Sequence, residues 1–453
     1  MSPRRRWPGL PTGIALGLAL LVASLPAGCR IAERNEVARR EETAPAKSLD
    51  GLAGRYVKLA LAVGEHDPDY VDAYYGPKAW REEAVAARKP LEAIRSSSLP
   101  VIAALQEMDL PKEEEMISLR RDYLLGQLRS LVARVEILEG RRMSFDQESE
   151  ALYDAVSPSR PESQFREILD RLGRLLPGKG PLIDRFEAYR KGFNIPREKL
   201  DAVFTAAIAE ARRRTLSHLE LPAGESFTVE YVTGKPWGAY NWYQGKGRSV
   251  IQVNTDLPVT IDRALDLAAH EGYPGHHVYS SLLEQRLVRE RGWVEFTVYP
   301  LFSPQSLIAE GSANFGIGVA FPGDERIAFE RDVLFPLAGL DPARVSAYHQ
   351  ITKLVSSLEM AADEAGRRYI DGVMDADQTA DYLTRFAMMP PDRARRRVRF
   401  LDQYRSYVIN YNLGEDLVRA YIERMGGAAD QPGKRWEEFA RLLSSPRLPS
   451  ALR

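Results

Sequence analysis

The chain has 453 residues, of which 44% are hydrophobic and 28% charged, as is typical of a globular protein and not of a disordered one. Its 62 Lys and Arg residues nearly balance 63 Asp and Glu residues, and the formal net charge is −1. This balance argues against nucleic-acid binding, which needs a cationic surface. The length allows two lobes or one large domain that encloses a cleft.

The first 29 residues have the layout of a secretory signal peptide. Arginines at 4–6 precede an apolar stretch over 13–25, and small residues lead to Cys29, the only cysteine of the sequence. A cysteine in this position resembles a bacterial lipobox, in which the thiol is lipidated. We therefore predict export to the cell envelope, a lipid anchor at Cys29 facing the periplasm, and a flexible tether over 30–48. An ordinary cleaved signal and a retained membrane anchor are the alternatives.

The remainder of the chain divides into two regions with different patterns. An N-terminal helical region over 49–221 repeats apolar residues at three- and four-residue spacing, most clearly in Glu114–Glu139. A catalytic region over 222–453 begins with three β-rich segments, which predict a small antiparallel sheet: Phe227–Val232, Ala239–Gln244 and Ser249–Thr255. Helices are predicted again over 260–273, 304–319, 342–368, 378–386 and 393–424. The predicted fold class is mainly α.

Histidines cluster directly after the predicted sheet. The chain has six, and three of them, His270, His276 and His277, fall within eight residues. Imidazole is the commonest protein ligand for a metal such as zinc, and Glu271, beside the first histidine, can act as a general base on activated water. The segment therefore predicts a metal site. The alternative is a kinked helix end whose histidines bond to backbone groups.

The spacing of these histidines needs an irregular backbone. On a regular helix six residues rotate a side chain to nearly the opposite face, and seven displace it by about 10 Å along the axis. Pro274 cannot donate a backbone hydrogen bond, and Gly275 tolerates backbone angles closed to other residues. We predict a bulge here that brings His276 beside His270, with His277 as the alternative second ligand.

A third ligand is predicted in the next helix. Ser303 and Pro304 are typical of a helix N-terminus. Glu310 is the only charged residue between Glu295 and Asp324, and its apolar neighbours suggest burial. A buried carboxylate needs a partner, which a metal ion supplies. The alternative is a glutamate on the exposed side of the helix.

Three segments together carry a family resemblance. The segments are His270–His277, with the pattern HE-x-x-PGHH, the Glu-Gly-x-Ala stretch that begins at Glu310, and Tyr407–Gly414. They resemble the bacterial domain-of-unknown-function 885 family over roughly residues 52–425. The resemblance implies a large helical zinc-peptidase-like fold.

The resemblance also implies roles for single residues. His270, His276 and Glu310 would bind one zinc ion, and Glu271 would be the catalytic base. Tyr411 would be a second catalytic residue, which donates its hydroxyl to the oxyanion formed when water attacks a carbonyl.

A tyrosine-rich segment near the C-terminus provides further candidates. Tyr404, Tyr407 and Tyr411 have spacing that predicts one shared helix face, with Arg405 adjacent. Tyr407 and Arg405 are predicted to bind substrate, and aromatic core packing is the alternative for the tyrosines. The strand over 249–255 is predicted to pair by its edge with an extended peptide.

The sequence therefore predicts a zinc metallopeptidase of the cell envelope that cleaves a peptide substrate. One alternative is a metal-dependent amidase or esterase that acts on an envelope component. The other is a non-catalytic envelope lipoprotein.

Overall fold

The computed structural model describes residues 47–110, 114–235, 237–256 and 258–453. The predicted signal peptide, Cys29 and all but the last two residues of the tether lie outside these ranges. Within them, every helix is too short or too polar to cross a bilayer.

The N-terminal region is largely helical, as predicted. Its helices are α1 (Leu49–Gly64), α2 (Lys78–Ala87), α3 (Leu91–Gln106), α4 (Glu115–Leu138), α5 (Phe145–Tyr153), α6 (Glu162–Leu175), α7 (Leu182–Lys191) and α8 (Leu200–Leu216). The predicted helix over 114–139 is confirmed as α4, and its apolar stripe, which includes Leu124, Leu128 and Leu131, is fully buried.

This region also contains a strand that the sequence analysis missed, β1 (Val71–Tyr74). Strand β1 pairs antiparallel with β5 (Val298–Pro300) of the catalytic region, and one continuous hydrophobic core includes residues of both regions. The predicted boundary at residue 222 stays a prediction.

The predicted sheet is present, but its pairing is mixed. Strands β2 (Ser226–Val232), β3 (Ala239–Tyr243) and β4 (Arg248–Asn254) lie in the order β2–β4–β3. The antiparallel prediction holds for β3 and β4, whereas β2 pairs parallel to β4. The reason is that β4 returns from the β3–β4 hairpin into the space beside β2. Both edges of β4 are therefore paired, and the predicted peptide edge at 249–255 is wrong. Strand β3 is an edge strand of the described sheet.

The remaining chain is helical. Its α-helices are α9 (Ile261–Leu267), α10 (His276–Leu283), α11 (Pro304–Ala320), α12 (Gly323–Phe329), α13 (Phe335–Ala338), α14 (Val345–Ser356), α15 (Ala361–Ile370), α16 (Ala376–Phe386), α17 (Pro391–Tyr404), α18 (Ile409–Arg424) and α19 (Pro432–Leu443). Two predicted helices are divided: 342–368 contains α14 and α15, and 393–424 contains α17 and α18. The mainly α class is confirmed.

Helices α11 and α18 cross at a point where two glycines meet. A Cβ atom on Gly311 would lie 2.2 Å from the carbonyl carbon of Gly414, and one on Gly414 would lie 2.6 Å from a backbone oxygen of α11. Only residues without side chains allow this approach. The crossing brings Glu310, adjacent to Gly311, close to Tyr411, one turn before Gly414.

Candidate metal centre

The predicted bulge of the histidine segment is confirmed. The chain leaves α9 in a single π-helical turn, Ala268–Gly272, in which the backbone N–H of Tyr273 bonds to the carbonyl five residues earlier. A Cβ atom on Gly275 would lie 1.8 Å from the carbonyl oxygen of His270, so this tight return requires glycine. Helix α10 then begins at His276. The return places the His276 ring beside that of His270, with centroids 4.7 Å apart.

Three potential ligand atoms converge at this point. The Nε2 atoms of His270 and His276 are 3.2 Å apart, and Glu310 Oε2 lies 3.3 Å from the former and 3.7 Å from the latter. Tetrahedral zinc with bonds of about 2.0–2.1 Å holds its ligand atoms about 3.3 Å from one another. The triangle therefore fits a zinc ion with three protein ligands.

The surroundings of Glu310 support this fit. Glu310 is buried on α11, and its Oε1 atom accepts a hydrogen bond of 2.9 Å from the Tyr407 hydroxyl. Its Oε2 atom accepts no hydrogen bond of good geometry, although the two histidine Nε2 atoms face it. A cation between the three atoms would satisfy this buried carboxylate oxygen.

The electrostatics of the three residues are consistent with a shared positive charge. Burial by itself would raise the pKa of Glu310, but His270 and His276 outweigh it and hold that pKa well below the usual value. Burial acts to lower the pKa of His276, yet the adjacent Glu310 raises it to about 9. The carboxylate therefore favours a cationic partner, which can be a proton or a metal ion.

His277, the alternative second ligand, is directed elsewhere. Adjacent residues on a helix point about 100° apart. The His277 ring is fully buried, with Nε2 2.9 Å from Glu225 Oε2 and Nδ1 2.9 Å from Ser249 Oγ. Both ring nitrogens are thus used, and the alternative is wrong.

Glu225 is the centre of a second buried cluster, which the sequence analysis missed. Besides His277, it accepts hydrogen bonds from the Tyr273 hydroxyl at 2.5 Å and from Arg212 at 2.7 Å. Burial acts to raise the pKa of Glu225, but these three donors lower it to about 2. This cluster fixes both Tyr273 and His277, on the two sides of the metal-site bulge.

Glu271, the predicted base, is buried on the π-helical turn. Its backbone carbonyl accepts a 2.6 Å hydrogen bond from the side chain of Asn241 on β3. Its carboxylate forms no hydrogen bond or ion pair with the described part of the chain, but its charge helps to raise the pKa values of His276 and Tyr411. The carboxylate is therefore both close to the triangle and available.

The tyrosine-rich segment differs from its prediction. A turn of 3-10 helix at Arg405–Val408 interrupts the helix, because Arg405 has a left-handed φ of 51°, so the tyrosines do not share one regular helix face. The Tyr407 hydroxyl is used by Glu310, and Arg405 forms a 2.6 Å ion pair with buried Glu148. These contacts occupy the Tyr407 hydroxyl and the Arg405 guanidinium, and substrate binding by either residue stays a prediction.

Tyr411 is half-buried near the triangle. Burial and the charges of Glu310 and Glu271 raise its pKa well above the usual value. The hydroxyl is therefore protonated at neutral pH and can donate a hydrogen bond.

A further carboxylate, Asp72 on β1, was missed. Burial, together with Glu310 and Glu271, raises its pKa to about 7, and His276 opposes the shift. Because the charges of these three residues act on Asp72, its carboxylate lies close to the candidate metal site. The signal was the β-rich stretch Val71–Tyr75, which the surrounding helical pattern obscured.

Comparisons with known proteins give distant likenesses. No family model and no curated protein matches the sequence. A provisionally named lipoprotein from Colwellia psychrerythraea is 16% identical, with a TM-score of 0.47 over 80% of this chain and 68% of that one. A provisionally named lipoprotein of unknown function from Shewanella oneidensis is 13% identical, with a TM-score of 0.47 over 94% and 92%. An M32 carboxypeptidase from Deinococcus radiodurans R1 is 13% identical, with a TM-score of 0.37 over 88% and 92%. These scores are too low to support a functional argument.

Proposed function

We propose that the protein is a zinc-dependent hydrolase of metallopeptidase type. The observation that carries the proposal is the convergence of His270, His276 and the Oε2 atom of Glu310, with the free carboxylate of Glu271 close to them. A binding protein would have no need of this fourth group, since a general base serves only catalysis.

The residues divide the chemistry among themselves. Zinc would be held by His270, His276 and Glu310. As a Lewis acid it would activate water and polarise a carbonyl. Glu271 accepts the proton of the attacking water and passes it to the leaving amine. Tyr411 donates its hydroxyl to the developing oxyanion.

Other residues position these groups. Tyr407 orients Glu310 through its Oε1 atom, as outer-shell partners of metal ligands do. Asn241 fixes the backbone of Glu271 to β3. We assign β3, in place of β4, as the strand whose free edge pairs with an extended peptide. The reason is that β3 contacts the metal-site turn directly, through Asn241.

The proposed location is the cell envelope, with a lipid anchor at Cys29 and the catalytic region in the periplasm. The proposed substrate is a peptide. The rival substrates, acyl esters or amides of an envelope component, fit the same chemistry and are distinguished by assay.

The test compares zinc-loaded wild type with Glu271→Gln on a panel of peptides, acyl esters and glycan amides. We expect peptide cleavage by the wild type, and a loss of kcat of about 10²–10⁴-fold in Glu271→Gln, because general acid–base catalysis contributes that much. Zinc content should not change. Glu290→Gln, at an exposed glutamate on the protein surface, is the matched control and should keep full activity.

Two results would redirect the proposal. Cleavage of esters or amides with no peptide cleavage would identify the amidase or esterase alternative. If Glu271→Gln kept the biological function and His270→Ala destroyed it, the protein would be a metal-dependent binding lipoprotein and not an enzyme.

A further inference from the structure

Three aromatic rings lie on the outer face of the small sheet, beside its β3 edge. Tyr240 and Trp242 are two residues apart on β3, so their side chains project from the same side of the sheet, and their ring centroids are 4.6 Å apart. The ring of Trp237, just before the strand, lies 5.6 Å from that of Tyr240. These three rings are here called the aromatic face. Asn241 points to the other side of the sheet, where it bonds to the metal-site turn.

The aromatic face is open to solvent, and its most exposed ring is held in place. Trp242 is 42% exposed and is the only exposed tryptophan in the described ranges. Its indole N–H donates a hydrogen bond of 3.2 Å to Gln252 on β4, and the Gln252 amide donates one of 3.1 Å to Glu230 on β2. A ring that is both exposed and fixed gains contact area with a ligand at a low cost in conformational entropy.

The edge of β3 beside the aromatic face has open backbone groups. Gly238 and Gln244, six residues apart, both form backbone hydrogen bonds of 2.8 Å with β4. In an antiparallel pair the direction of these groups alternates from residue to residue. The N–H and C=O groups that point to the outer edge are therefore those of Ala239, Asn241 and Tyr243. No hydrogen bond from another described segment reaches them.

An extended peptide on this edge would reach both sides of the sheet. Its side chains alternate between the two sides, and the residue opposite Asn241 projects toward the metal-site turn. The residues before and after it lie opposite Tyr240 and Trp242, with Cβ atoms about 5 Å apart, and project over the aromatic face. Contacts of aromatic rings with apolar side chains across neighbouring strands are favourable.

We propose that the aromatic face binds two large apolar side chains of the substrate that are separated by one residue. The substrate is thus a peptide with apolar residues at alternate positions, and the residue between them faces the metal site. The cleavage of such peptides rests on the proposed function, whereas their binding does not.

The first test compares two peptides of equal composition. Both are capped octapeptides of serine and alanine with two phenylalanines, which are separated by one residue in the spaced-pair peptide and adjacent in the other. Binding is titrated on zinc-loaded Glu271→Gln protein, which does not turn the peptides over. We expect the spaced-pair peptide to bind about tenfold more tightly, because only this peptide can cover the aromatic face with both of its rings.

Variants of the aromatic face should remove this preference. Trp242→Ala and Tyr240→Ala, each combined with Glu271→Gln, should bind the two peptides equally, whereas Trp242→Phe should keep most of the difference. Tyr231→Ala, on β2 at the opposite edge of the sheet, removes an aromatic ring that is 40% exposed and should keep the full preference. In the catalytically intact protein, Trp242→Ala should lower kcat/KM for the spaced-pair peptide to the value for the adjacent-pair peptide.

A second test examines the backbone pairing. N-methylation of the spaced-pair peptide at each residue in turn removes one N–H at a time. Because only alternate N–H groups of a paired strand face its neighbour, methylation should weaken binding at every second residue and leave it unchanged at the residues between.

The outcomes are distinct. Equal binding of the two peptides, an equal loss of preference in Tyr231→Ala, or a uniform effect of N-methylation would overturn the proposal. So would unchanged peptide binding by Trp242→Ala with loss of sedimentation on phosphatidylethanolamine–phosphatidylglycerol vesicles, which would assign the aromatic face to a lipid surface. Selective binding with no cleavage of any peptide would refute the peptidase function and leave the peptide site established.

Discussion

Two buried histidine–glutamate clusters lie on opposite sides of one helical turn. His276 faces Glu310, and its neighbour His277 faces Glu225. In the cluster around Glu225 both nitrogens of His277 have partners, and the carboxylate accepts hydrogen bonds from three side chains. In the cluster around Glu310 two ring nitrogens and the Oε2 atom converge on a common point, and Oε2 accepts no hydrogen bond of good geometry.

The difference shows how the same residue types serve two purposes. A buried polar cluster with every group satisfied stabilises one conformation. A cluster in which ligand atoms converge without good hydrogen bonds between them needs a cation at its centre. We therefore assign the Glu225 cluster to structure and the Glu310 cluster to metal binding.

The largest expected effect is a loss of unfolding free energy at low pH, and it comes from the Glu225 cluster. The pKa of Glu225 is lowered from 4.5 to about 2, so its stabilising contribution is complete above about pH 5 and is lost as the pH falls toward 2. The shift corresponds to roughly 3 kcal/mol. Chemical unfolding of metal-free wild type and Glu225→Gln should therefore give a difference in unfolding free energy that shrinks across this range.

The control for this experiment is Glu290→Gln, at an exposed glutamate, which should follow the wild type at every pH. A Glu225→Gln difference that stays constant from pH 7 to pH 2.5 would show that the Glu225 carboxylate is not specifically stabilised.

A smaller effect, on zinc affinity, is expected from substitution of Tyr407, which contacts the Glu310 cluster. Tyr407→Phe removes the hydrogen bond to Glu310 Oε1 and leaves all three ligand atoms in place. Outer-shell partners typically contribute 10–100-fold to metal affinity, and we expect about tenfold, near the lower limit, because the ring still packs in the core. Zinc affinity measured by competition with a chelator tests this value.

Tyr404→Phe is the matched control, since the Tyr404 hydroxyl bonds to Gln403 and not to a ligand. Equal zinc affinity in Tyr407→Phe and wild type would mean that the orientation of Glu310 comes from the helix crossing at Gly311 and Gly414 alone.

The sequence was sufficient for the helical class and for the convergence of His270, His276 and Glu310. Glu310 was recognisable as an isolated charge in an apolar helix, and Pro274 and Gly275 indicated the bulge between the histidines. These signals are local, because proline restricts the backbone angles and glycine widens their allowed range wherever the two residues occur.

What the sequence analysis missed depends on contacts between distant segments. Glu225 binds His277, 52 residues away, and Asp72 reaches the site only because β1 pairs with β5. The parallel pairing of β2 with β4 and the pairing of Arg405 with Glu148 likewise follow from tertiary packing. No spacing rule within one helix or strand predicts such neighbours.

The most direct test of the central claim is the zinc content of purified protein, measured by elemental analysis for wild type, His276→Ala and His277→Gln. We predict one zinc ion per chain in the wild type, its loss in His276→Ala, and its retention in His277→Gln despite lower stability. A wild type that binds no zinc when zinc is supplied, or one that loses it in His277→Gln but not in His276→Ala, would contradict the assignment of the two clusters.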